Sequence, residues 1–267
     1  MKAVLPMTSA ESKRLIAKGA AHLPEMKNAL EKGLIVCAGG TTNAFIAEEL
    51  LNIQIPRKGT HVMGVIAGGV ACGIDPATRS RFFVIDQGEP IDLPLPEAAK
   101  RLKSGDVFLK GANAIDPEGR TAVLAGSPTG GTIGMAKPYL GPDKAQLVLA
   151  VGLEKLIPSI PAAADFAELE EIDAAFGWKL NVLPVHIPGQ FVITEIEALH
   201  TLTGAKTTLL GAGGVGGSEG SVVLGIEGND EQVKAALDLC RSIKGEPPVA
   251  AAHLDCAECE RPCSMMD

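Results

Sequence analysis

Between residues 33 and 157 short apolar runs end in glycine turns and alternate with segments of helical periodicity. That rhythm limits the fold more than any other feature of the chain. The runs GLIVCAGG (33–40), HVMGVIAGGVACG (61–73), FFVIDQGEP (82–90), DVFLKGANAI (106–115) and KAQLVLAVGLEKLIP (144–158) read as strands. Residues 41–51, 96–105 (stopped by Gly105) and a short piece near 132–139 read as the helices between them. Upstream, 8–32 is helical, with Ser9 able to cap it and Pro24 breaking it. Parallel strands need a long crossover, usually a helix. The alternation therefore predicts an α/β core over residues 1–165, doubly wound, with a mostly parallel sheet and helices on both faces.

After Pro158 the rhythm changes. Strand-like LNVLPVHI (180–187), helical TEIEALHTLTG (194–204), strand-like 205–214 and 219–228, and a capped amphipathic helix over 229–245 follow one another. This β-α-β-β-α order is one strand short of a ferredoxin-like unit. It predicts a small α+β domain over 166–248 and a Cys-rich tail over 249–267.

Composition narrows the function classes. Hydrophobic residues are 46% and charged residues 21%, the balance of a folded chain, while aromatics are only 3%, which suits an α/β core better than a β-sandwich. A net charge of −8 with scattered Lys and Arg argues against nucleic acid. No apolar run reaches the roughly 18 residues of a membrane span, and the first residues lack a signal-peptide core. The expectation is a cytoplasmic protein that does not engage the membrane, with its six Cys as thiols or metal ligands. Nothing here limits self-association into a homo-oligomer.

Three motifs could carry chemistry. In CAGGTTNAF the glycines Gly39 and Gly40 end a strand and open a helix, and Thr41, Thr42 and Asn43 add donors. Free amides and the helix dipole at such a point favour a small anionic metabolite, although an ordinary capped turn would use some of the same residues. In LLGAGGVGGSEG the glycines Gly211, Gly213 and Gly216 match the dinucleotide spacing, but strand-like residues follow where a helix is required, so NAD is not expected. That segment reads as a flexible hairpin or rim loop in which Glu219 could act as base or nucleophile. In the tail, His253, Cys256, Cys259 and Cys263 have ligand spacing for zinc or an iron–sulfur cluster, the alternative being a thiol-rich terminus. Cys37, Cys72 and Cys240 sit on apolar segments and read as core residues. The histidines His22, His61, His186 and His200 are isolated, and no hydrolase triad is recognisable.

The segments GGTTNAFIAEELL (39–51), GANAIDPEG (111–119) and GGTIGMAK (130–137), in that order, resemble the superfamily of type A ribose-5-phosphate isomerase, glucosamine-6-phosphate deaminase and the CoA transferases. The resemblance covers roughly residues 33–157. It implies a phosphate site at Gly39–Asn43, a ligand loop containing Gly111 and Asn113, a glycine turn at Gly130 and Gly131, and Asp116 and Lys137 at matching catalytic positions. Asn113 and Ala114 stand where the isomerase has acids, and Ala136 replaces its catalytic Glu. Aldose–ketose isomerisation needs a base to move a proton between carbons. That activity is therefore not expected. Two readings follow: an isomerase- or transferase-like enzyme on a phosphorylated or CoA-linked metabolite, using Asp116, Lys137 and Glu219, or a binding-only sensor with a metal- or redox-responsive tail.

Overall fold

A computed structural model describes residues 1–127, 129–168 and 171–252. The chain opens with β1 (Lys2–Met7), α1 (Ser9–His22), α2 (Pro24–Lys32), β2 (Leu34–Cys37) and α3 (Thr41–Leu51). Hairpins β3 (Gly64–Ala67)/β4 (Val70–Gly73) and β5 (Phe83–Asp86)/β6 (Glu89–Ile91) follow, then α4 (Leu95–Arg101) and β7 (Val107–Gly111). Next come β8 (Ala114–Ile115), β9 (Thr121–Ala125), α5 (Gly131–Ala136), β10 (Gln146–Ala150), α6 (Ile160–Phe166) and β11 (Asn181–Val185). The last elements are β12 (Phe191–Ile193), α7 (Glu195–Thr203), β13 (Lys206–Gly213), β14 (Ser221–Glu227) and α8 (Asp230–Ile243).

The class is α/β. A six-stranded sheet runs β12-β10-β7-β2-β5-β6, with the first four strands parallel and β5 and β6 antiparallel. Its central strands are apolar on both faces, as burial under helices on both sides requires. Ile35, Cys37, Val107, Leu109 and Val148 join one core with Leu15 and Ile16 of α1, Phe45 and Ile46 of α3 and Leu199 of α7. Leu34, Val36, Phe108, Leu147 and Leu149 face the other way, onto Ala98 and Ala99 of α4 and Ile133 and Ala136 of α5. Double winding calls for parallel strands on both flanks of the first core strand. Here one flank of β2 carries the antiparallel β5–β6 hairpin instead.

Strand pairing does not follow the expected division at residue 166. β12 is the edge strand of the large sheet, beside β10. The strand missing from the ferredoxin-like order comes from the far N-terminus: β1 pairs with β14 over its whole length in the antiparallel sheet β1-β14-β13. Pro6 lacks an amide hydrogen, which an edge strand tolerates. Val222, Leu224 and Ile226 of β14, with Val233 and Ala236 of α8, share the core of α1 and α7, so residues 166–248 do not enclose a core of their own. The run 61–73 becomes the separate hairpin β3–β4, turned at Gly68 and Gly69 with φ of 59° and 81°, the two positive values that a tight hairpin turn of this kind requires. Thr8, rather than Ser9, caps α1, in a reciprocal capping box with Glu11.

α1 and α7 cross at closest range where Gly19 meets Ala198. A Cβ on Gly19 would lie 2.6 Å from both Cα and Cβ of Ala198, so the backbones themselves would have to part. Gly19→Ala should therefore cost about 1–3 kcal/mol, the range for overpacking a filled core. Denaturant unfolding checks this, and an unchanged midpoint would mean the two helices can separate freely.

Candidate functional site

The carboxyl ends of β2, β7, β10 and β12 lie side by side, because the four strands are parallel neighbours. Ligands of open α/β sheets bind beyond this edge. Each strand hands over to polar chain there: Gly39–Asn43 after β2, Lys110 and Asn113 around the end of β7, Glu154 and Lys155 after β10, and Glu195 after β12. After β10 the chain turns at Gly152 into a 3-10 turn over Leu153–Lys155. This folds the Glu154 carboxylate back over Gly152, where an added Cβ would fall 1.8 Å from Glu154 Oε2. Glu195 is the first residue of α7, whose Thr194–Glu197 capping box fixes that turn. Lys13 reaches the same place from α1, its Nζ 3.9 Å from Glu154 Oε1.

Glu195 is fully buried, at 0% exposure. Its Oε2 accepts from Leu153 N at 3.0 Å. Burial, helped by the neighbouring Glu154 charge, pushes its pKa up to about 7. Ser12 lies close enough to weigh on its ionisation, yet neither Ser12 Oγ nor Glu195 Oε1 makes a hydrogen bond of good geometry. Lys13 is held below the ordinary lysine range by burial; the Lys155 charge acts in the same direction, and Glu154 and Glu195 oppose it. Lys110 is lowered to about 8, first by burial and then by Lys155. The Lys110 ammonium donates to Gly111 O at 2.9 Å and that of Lys155 to Ala112 O at 3.1 Å.

Three lysines and two glutamates thus form a chain of mutually interacting charges along one edge of the sheet. Buried polar atoms normally have partners. Six buried side-chain atoms among the described residues do not, and four of them, Ser12 Oγ, Asn43 Oδ1, Glu154 Oε2 and Glu195 Oε1, are on or beside this edge. The loop between β13 and β14 borders the cluster. A Cβ on Gly220 would be 3.8 Å from Ser9 Cβ and 4.0 Å from Glu154 Cγ.

The residues singled out in the sequence divide into two groups. Gly39, Gly40, Thr41, Thr42 and Asn43 stand at this edge. Gly39 is packed on the Phe82 ring, Gly40 N donates to His61 O at 2.8 Å, and no side chain caps α3. Thr42 and Asn43 are buried. Asn43 Nδ2 donates to Ala38 O at 2.7 Å and to Leu109 O at 3.4 Å, bracing the ends of β2 and β7. Gly111 ends β7, and Asn113 Oδ1 accepts from Leu124 N at 3.1 Å, a bond internal to the β8–β9 region.

The expected catalytic set is not brought together. Asp116 turns the β8–β9 hairpin and accepts from Glu118 N, Arg120 N, Arg120 Nε and Ile160 N at 2.7–3.2 Å. Burial alone would raise its pKa, but the bonds from Ile160 and Arg120 hold it below the usual range. A carboxylate so fully occupied is a brace and a poor base. Lys137 is exposed just after α5, a helix of six residues that Gly130 and Gly131 begin. Glu219 is exposed on the β13–β14 loop, its carboxylate accepting from Gly217 N at 2.9 Å. The glycine run around it joins two antiparallel strands, so no helix receives a ligand there.

Sequence reading missed Lys13, Lys110, Glu154, Lys155 and Glu195. A usable signal existed for four of them: VFLKG, VGLEK and VITE each place a charged residue where an apolar parallel strand ends. The proposed metal ligands His253, Cys256, Cys259 and Cys263 lie outside the described residues. Among the described residues no helix is long and apolar enough to cross a membrane. Comparison with known proteins finds no matching family model, no matching curated protein and no matching solved structure.

Proposed function

We propose that this protein is an enzyme acting on a small anionic metabolite, phosphorylated or CoA-linked, bound across the carboxyl ends of β2, β7, β10 and β12. The observation that carries this reading is the coupled cluster of Lys13, Lys110, Lys155, Glu154 and Glu195 at that edge. Three cations face two carboxyl groups, one of them protonated for part of the time near neutrality, so the edge favours an anion. Lys13 and Lys155 hold the anionic group. Glu195 has the near-neutral pKa that suits a group giving and taking protons at physiological pH. That favours an enzyme over a binding-only sensor, because binding alone has no need of such a group beside the anion. The resemblance to the isomerase and CoA transferase superfamily supports the same ligand class, with the chemistry moved from Asp116 and Lys137 to Glu195 and the lysines.

The test is a thermal-shift panel of sugar phosphates, nucleotides and acyl-CoAs, followed by turnover assays on whatever binds. A ligand at a hundred times its Kd should stabilise the fold by about 2.7 kcal/mol. Stabilisation by no member of the panel would overturn the reading.

A further inference from the structure

We infer that Lys110 forms an imine with its ligand, which makes the substrate a small anionic aldehyde or ketone. This rests on the proposed ligand site and adds a covalent step to it. Lys110 is the last side chain of β7 before Gly111, and it lies in the middle of the parallel strands. Its backbone is paired in register with Leu149 of β10, and on the other side Ala38 N donates to the adjoining Leu109 O. The side chain is half-buried. Its ammonium donates to Gly111 O, and among the described residues no carboxylate lies within ion-pair distance of it. The charge that acts on it is another cation, Lys155.

Structural lysines at protein edges are usually paired or solvated. A lysine that is desolvated beside a like charge is instead a lysine whose neutral amine is made available. With its pKa at about 8, Lys110 has on the order of a hundred times more free amine at pH 7.5 than an ordinary lysine. The chain after β10 supplies the other half of the recognition. Lys155 stands there as the cation that holds the anionic group, and its charge acts on Lys110. β10 pairs directly with β7, so an anionic group on Lys155 would lie at the strand next to the one that carries Lys110.

The step balances without an oxidant or reductant. The free amine attacks the carbonyl carbon and a C–N bond forms. The C–O bond then breaks, and the oxygen leaves as water. Counted from the ammonium form, one carbonyl and one ammonium give one iminium and one water, with no net change of protons. The iminium draws electrons from the adjacent carbon, and proton removal there becomes easier.

The probe is pyridoxal 5′-phosphate, an aldehyde that carries a phosphate, reduced with borohydride and located by peptide mass mapping. In the wild-type chain at pH 7.5, Lys110 should be labelled at least about tenfold faster than the exposed Lys137, since free amine sets the rate. Inorganic phosphate should protect Lys110 alone. Lys110→Arg, confirmed as folded by its thermal transition, should lose that fast site and keep the slow ones. Labelling that follows exposure and leaves Lys110 unmodified would overturn the imine. If inorganic phosphate still stabilises the protein in that case, the anion site stands and only the imine fails. If phosphate neither stabilises nor protects, both fail.

Discussion

A Glu195→Gln variant is expected to match the wild type in stability at pH 4 and to exceed it clearly at pH 8. The folded chain holds the Glu195 proton up to about pH 7, whereas an unfolded chain releases it near 4.5. Between those values the folded state binds more protons than the unfolded state, so stability falls as pH rises. It is fully present below 4.5 and has been lost once pH passes 7. At about 1.4 kcal/mol per pH unit, the loss is on the order of 3 kcal/mol. Glutamine keeps the shape and the acceptor for Leu153 N but carries no charge to bury. The charged neighbours Lys13, Glu154 and Lys155 remain in the variant, so the comparison isolates one carboxyl. Denaturant unfolding of both proteins across this range measures it. A difference that does not change with pH would show that Glu195 ionises like any exposed glutamate.

Arg14→Ala is expected to cost about 3 kcal/mol or more, far beyond an ordinary surface ion pair. The Arg14 guanidinium donates to Glu48 Oε2 at 2.6 Å, Glu49 Oε1 at 2.8 Å and Glu246 Oε2 at 2.9 Å. It also lies 4.6 Å from the centre of the Phe45 ring. One side chain thus joins α1, α3 and the segment after α8, with only 15% of it exposed. Lys58 and Lys18 remain on Glu48 and Glu49, but Glu246 would keep no ion-pair partner among the described residues. Glu48 is held below the usual carboxylate range: burial opposes its charge, and Lys58, Ile55 N and Arg14 outweigh that. The stability it contributes is present above the ordinary carboxylate pKa and lost as pH falls through the depressed one. The Arg14→Ala penalty should therefore shrink on acidification. A penalty under about 1 kcal/mol at neutral pH would place the network with surface pairs.

The elements that were legible are those whose signal is local. α3 has the bounds that its pattern and glycine turn give, and Pro24 does separate α1 from α2. β1 was not legible. It is an edge strand whose exposed and half-buried residues alternate, and its partner β14 lies at the other end of the chain. β9 was hidden within a segment read as a glycine loop, and β12 is only three residues long. The site follows the same rule. Gly39–Asn43 were found because a strand, two glycines and a helix adjoin in sequence. Asp116 reads in the sequence as a reactive acid, and its four donors, two of them from Arg120 and one from Ile160, appear only once the hairpin is folded against α6. Lys13, Lys110 and Glu195 acquire unusual ionisation from burial beside charges distant in the chain, and the sequence shows no sign of that beforehand.

The location of the ligand is tested most directly by comparing three lysine variants. The anion that stabilises the wild type most, taken from the panel of sugar phosphates, nucleotides and acyl-CoAs, would be titrated by thermal shift against Lys13→Met, Lys155→Met and Lys137→Met. If the ligand lies across the ends of β2, β7, β10 and β12, the first two variants lose the stabilisation and Lys137→Met keeps all of it. Loss in Lys137→Met, with Lys13→Met and Lys155→Met unaffected, would contradict the site.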